Sequence, residues 1–130
     1  MTKPLLYSII DTPNHPDFSA LYRRLGYEER RITSQRKAIG ELKKHPPALV
    51  VGEFLNAFHT YYQATNISNL DVFLQSLIKY APTARVLVIV DKREQALAES
   101  LKKIHSRLVL LPRPLDEARM EAALHGDANE

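Results

Sequence analysis

Three carboxylates and one guanidinium stand at the ends of short apolar runs in this chain. Asp11 follows Pro4–Ile10, Glu53 follows Ala48–Gly52, Asp91 follows Arg85–Val90, and Arg113, with Pro114 after it, follows Arg107–Leu111. If those runs are strands of one parallel sheet, the four groups converge at its carboxyl edge, where open α/β sheets place their ligands. Two chemistries are open to such a group. Asp11, Glu53 and Asp91 could hold a hard cation such as Mg²⁺, which takes oxygen ligands in near-octahedral geometry. Alternatively, Glu53 and Arg113, on strands that flank a third, could pair bidentately and leave no site for a metal. The plainest reading is that Asp91 caps a helix, Asp11 bonds loop amides and Glu53 is solvated.

The elements that must position these groups are legible as patterns. The four runs are continuous and rich in Val, Leu and Ile, which suits strands buried on both faces of a parallel sheet. Between them lie helical spacings: Phe18, Leu21, Tyr22 and Leu25; Ala38, Ile39 and Leu42; Leu70, Phe73, Leu74, Leu77 and Ile78; Leu97, Leu101 and Ile104; and a final stripe around Leu115–Leu124. Tyr27–Ile32 is the remaining strand, its charges fitting an edge that discourages pairing with other chains. A helix start is expected at Asn14 or His15, with Pro16 at the first helical position. Ser34 and Asn69 are expected as caps, and Asp91 with Glu94 as a capping box. Pro46-Pro47 and Pro82 stop the helices before them. The order is β-α five times over, which implies a three-layer, doubly wound, five-stranded parallel sheet with right-handed crossovers.

Composition bounds the rest. The 130 residues, 45% hydrophobic and 25% charged, are those of one globular domain, expected over 1–125 with a frayed tail at 126–130. No cysteine is present, so thiol catalysis and thiolate metal sites are excluded. No apolar run approaches the roughly 18 residues of a membrane span, and the first residues do not read as a secretory signal. A cytoplasmic protein is expected. The net charge of +3 is uneven: residues 23–44 carry eight cations against three acids, while the last sixteen carry five acids against Arg119. That basic stretch contains no aromatic except Tyr27, so it is read as a solvated face and not as a nucleic-acid site.

At this point the chain resembles a response-regulator receiver domain over about residues 4–125. The matching pieces are Leu6–Asp11, Pro47–Glu53, Pro82–Asp91 and Leu110–Asp116. The resemblance implies strand order 2-1-3-4-5, a flavodoxin-like topology and a role in two-component signalling. It also implies Mg²⁺ held by two adjacent acids after the first strand, where this chain has Asp11 and Thr12. Glu53 stands at the place of the phosphoacceptor aspartate. Val90 or Asp91 stands where the family has Ser or Thr, and Arg113-Pro114 where it has Lys-Pro, a bond the family often holds cis. Glutamate is one methylene longer than aspartate, and arginine is a planar fork, not a compact ammonium.

Two function classes follow. The first is a degenerate receiver with no catalytic residue and no cofactor, which acts by docking to another signalling protein or to a second copy of itself. The second is a phosphotransfer-competent receiver, or a small flavodoxin-like enzyme using a metal at Asp11, Glu53 and Asp91. A flavin phosphate loop, a dinucleotide fingerprint, a P-loop and a nucleophile elbow are absent, and the histidines lack metal-ligand spacing. The long connection Glu53–Asn69 presents Phe58, His59, Tyr61 and Tyr62, which together would make a partner surface.

Overall fold

The computed structural model describes residues 3–13, 15–55 and 70–126. Five parallel strands, β1 (Leu5–Ile9), β2 (Glu28–Ile32), β3 (Leu49–Glu53), β4 (Arg85–Val90) and β5 (Val109–Pro112), form one sheet in the order β2-β1-β3-β4-β5. The expected topology is therefore present. Tyr27–Ile32 is an edge strand, paired with β1 from Leu5↔Glu28 to Ile9↔Ile32. No helix among the described residues is long and apolar enough to cross a membrane.

Strand alternation splits the core into two layers, because successive side chains point to opposite faces. Tyr7, Ile9, Val50, Val86, Val88 and Val90 pack with α2 (Gln35–Lys44) and α3 (Asp71–Tyr80). Leu6, Val51, Leu87, Ile89 and Leu111 pack with α1 (Ser19–Arg24) and α5 (Glu117–Leu124). Burying each such side chain contributes about 1.5–3 kcal/mol. Ser34 caps α2 by accepting from the Lys37 amide at 3.1 Å, as expected from its place before the apolar stripe. Gly26, at φ +92°, closes the turn after α1, where its amide bonds the Arg23 carbonyl.

Two helix expectations are corrected. α1 starts at Ser19 and not at Asn14 or His15. Thr12 and Pro13 bend the chain and 15–18 are irregular, with the His15 amide on the Thr12 carbonyl and the Asp17 carboxylate accepting from the Ser19 amide. This loop wraps the end of β3, so Pro16 leads into the helix without starting it. The stripe at Leu97, Leu101 and Ile104 is not one α-helix. A 3₁₀ turn (Lys92–Glu94), a single α turn, α4 (Gln95–Ala98), and a second 3₁₀ stretch (Glu99–Lys103) replace it. Burial falls on Ala98 and Leu101, three apart, while Leu97 is 42% exposed. A three-residue period favours the 3₁₀ geometry, in which i and i+3 eclipse. The capping box is likewise only half made: the Asp91 carboxylate accepts from the Arg93 amide, and the Glu94 amide bonds the Asp91 carbonyl. Asn69 lies outside the described residues, as do Phe58, His59, Tyr61 and Tyr62.

Candidate functional site

β3 ends on Glu53, whose side chain is 1% exposed. The preceding Gly52 faces the opposite layer, where a Cβ would lie 3.3 Å from Leu70 Cδ2. The strand register therefore sends Glu53, and not its neighbour, to the carboxyl edge. Gly52→Val is expected to cost about 1–3 kcal/mol by overpacking against Leu70, while Gly52→Ala stays within about 1 kcal/mol. Thermal melts of the two variants check this; equal stability of wild type and Gly52→Val would contradict the packing.

The Glu53 carboxylate is surrounded by donors. Oε1 accepts from the Asp11 amide at 2.9 Å and the Thr12 amide at 3.1 Å. Oε2 accepts from Thr12 Oγ1 at 2.6 Å and from Arg113 Nη2 at 3.2 Å. His15 Nδ1 lies 3.1 Å from Oε1, skewed from the line a ring N–H would take. The His15 side chain is 4% exposed, so this is a close polar contact in a dry setting. Burial pushes the Glu53 carboxyl up, but His15, the Thr12 hydroxyl and the Asp11 amide together outweigh it and hold the group at about 2. Hydrogen bonds to the charged form favour that form.

The geometry sorts the residues expected from the sequence. Glu53 and Arg113 meet, but through a single contact and not bidentately. The reason is local: Oε1 is committed to the β1–α1 loop, which leaves Oε2 for the guanidinium. Asp11 contributes its backbone amide to the site, while its carboxylate accepts from Gln35 Nε2 at 3.0 Å. Asp91 is bound by Arg93 through amide and side chain, and its carboxyl is held below its usual range mainly by those contacts. The three acids thus stand at one edge without facing one another. Among the described residues no three His, Cys, Asp or Glu side chains are grouped as a metal ligand set. The Arg113-Pro114 bond is cis, as the resemblance implied.

Two residues of the site escape sequence reading. His15 looks like one of five scattered histidines, yet it lies four residues after Asp11 in the loop that must pass the end of β3. Gln35 is the first residue of α2, directly after the β2 edge. Position relative to a strand end was the available signal for both. At the surface, Glu117 and Glu121 both take Arg24 of α1 at 3.1 Å, and Glu99 takes Lys102 at 3.0 Å.

No protein-family model matches the chain, and no curated protein matches it. Solved structures do. The receiver domain of NtrX from Brucella abortus is similar with a TM-score of 0.70 at 15% identity, covering 96% of this chain and 98% of that one. A Burkholderia pseudomallei response regulator, solved with a phosphorylated aspartic acid, a calcium ion and citrate, is similar at 0.68 and 22% identity over 97% of this chain and 69% of that one. An NtrX chain from Brucella abortus in complex with ADP is similar at 0.73 and 16% identity over 98% of this chain. This chain spans only 27% of that NtrX chain. With the sheet order and the placement of Glu53 at the end of β3, these likenesses show that the chain has the fold of a response-regulator receiver domain.

Proposed function

We infer that this chain is a response-regulator-like signalling domain whose phosphoacceptor position is taken by a permanent ion pair, and that it acts by docking to another protein without being phosphorylated. The observation that carries the reading is the Glu53 carboxylate, buried and bonded at both oxygens. An attacking carboxylate must bring an oxygen lone pair to phosphorus with near-attack geometry, and an error of about 1 Å is costly. Here each oxygen is already fixed by groups that would have to be displaced.

The residues present do not fit Mg²⁺. The second acid of the family pattern is Thr12, and its hydroxyl is spent on Glu53. The Asp11 carboxylate is turned to Gln35, and a guanidinium and an imidazole stand beside the one carboxylate a cation would need. Arg113 on Glu53 resembles in charge the contact between a phosphorylated acid and a lysine, with no chemistry required to make it.

The test is intact mass after incubation with Mg²⁺ and acetyl phosphate, beside a receiver known to label. No phosphoryl adduct is expected. A labile adduct that disappears in Glu53→Ala would overturn the reading in favour of a phosphotransfer-competent receiver.

A further inference from the structure

β2 is the open edge of the sheet beside α1 and α2. Its pairing with β1 includes the Glu28 amide on the Pro4 carbonyl and the Ile10 amide on the Ile32 carbonyl. In a parallel ladder, alternate residues bond the same neighbour. Glu28, Arg30 and Ile32 therefore face β1, and the backbone N–H and C=O groups of Glu29 and Arg31 face outward.

Both flanks of this edge are hollow. On the α2 side a cavity of about 360 Å³ is lined by Arg30, Lys37, Glu41 and Lys44, among others. On the α1 side one of about 450 Å³ is lined by Lys3, Arg23, Glu28 and Glu29, among others. A third, of about 550 Å³, shares Lys3 and Glu28 with one and Arg30 and Lys44 with the other. The hollows thus lie on both sides of the β2 edge and meet at shared residues near its amino end.

The charges of the two sides differ. On the α2 side Arg30, Lys37 and Lys44 outnumber the acids, which are Glu41, engaged by Arg30 at 3.2 Å, and Glu28, which shares the face of Arg30 by strand alternation. Among the described residues Lys37 and Lys44 have no carboxylate within ion-pair distance, and Arg30 Nε is shut off from solvent without a hydrogen bond. On the α1 side Arg31 already has acids, Asp17 at 3.5 Å and Glu29 at 3.6 Å. An added strand places alternate side chains on alternate faces.

We propose that the β2 edge is a docking site for an extended peptide that carries acidic residues at every second position. Its main chain pairs with the outward groups of Glu29 and Arg31. Its acids lie over Arg30, Lys37 and Lys44, and its intervening residues lie on the α1 side, where Arg31 already has its acids. This mode of binding takes affinity from the backbone and specificity from alternate side chains. A cationic edge repels its own copies and basic strands, while an acidic strand turns the same charges to attraction. Nucleic acid is disfavoured, because it finds no aromatic on the α2 side for bases to stack on and has no use for the backbone groups. The inference concerns an edge remote from Glu53 and stands whether or not Glu53 accepts phosphate.

Fluorescence anisotropy of the full chain with a ten-residue labelled peptide alternating glutamate and threonine tests it. Binding is expected at low salt and should weaken as salt rises. The exposed double variant Lys37→Glu/Lys44→Glu should weaken it at least about tenfold. Arg31→Pro removes an outward N–H without touching the β1 ladder, a place where edge strands tolerate proline. It should bind about tenfold more weakly than Arg31→Ala, the cost of a lost main-chain hydrogen bond. If Arg31→Pro fails to fold, peptide titration of the wild type decides the same point: amide shifts at Glu29 and Arg31 support the pairing, and their absence overturns it. No binding, equal binding of a dT10 oligonucleotide, or no difference between Arg31→Pro and Arg31→Ala would each overturn the proposal.

Discussion

Replacing Glu53 with alanine is expected to remove about 3–5 kcal/mol of folding stability, the range for deleting one partner of a buried ion pair. The carboxylate is nearly inaccessible and is the common acceptor for the Asp11 and Thr12 amides, the Thr12 hydroxyl and the Arg113 guanidinium. Without it, this acceptor is lost to all four donors, and the β1–α1 loop loses the group around which it is folded. A whole domain has only about 5–15 kcal/mol in hand, so the loss is a large share. Glu53→Gln keeps the shape and one accepting oxygen, and should cost about 1–3 kcal/mol. Urea unfolding at neutral pH, with unchanged m-values, measures both. A loss under about 1 kcal/mol for Glu53→Ala would mean that the loop is held by something else.

The second large effect is a loss of stability in acid that Glu53→Gln abolishes. The Glu53 carboxyl titrates at about 2 in the folded chain against an ordinary 4.5. Below that ordinary value the unfolded chain takes up a proton that the native chain refuses, so stability falls as pH falls. The contribution is fully present above about pH 5 and is lost progressively as pH falls to about 2, amounting to about 3 kcal/mol. Asp17, Asp91 and Glu121 are also held below their usual ranges, by Ser19, Arg93 and Arg24 respectively. Those groups lie at the surface, where salt screens them. The difference between wild type and Glu53→Gln in 0.5 M salt (about a 4 Å Debye length) isolates the buried group. Parallel stability curves for the two from pH 6 to pH 2 would sink the assignment.

Much of the architecture was readable in the chain because burial imprints a period. Runs such as Arg85–Val90 are apolar at every position since both faces of β4 are covered, and the alternation of these runs with helical stripes leaves few topologies. Ser34 was readable because a cap acts on an amide three residues away. The position of Glu53 at the end of β3 followed from counting along one strand. The helix start near Pro16 and the helix through Leu97 were misread for the converse reason. Proline at a first helical turn and leucines three or four apart are local permissions, and both were overridden by neighbours distant in sequence: the end of β3 in one case, the sheet face over Ala98 and Leu101 in the other.

Pattern and spacing along the chain are enough to bring Asp11, Glu53, Asp91 and Arg113 to the carboxyl edge of the sheet. Their contacts there are set by the folded loops. Whether a terminal carboxylate meets solvent, a cation or a ring of donors depends on how the adjoining loop folds over it. That loop brought two amides, a hydroxyl and His15 to Glu53, turned Asp11 to Gln35 and left a single oxygen for Arg113. Directional contacts a few ångströms long, between segments some forty to sixty residues apart, carry no period along the chain.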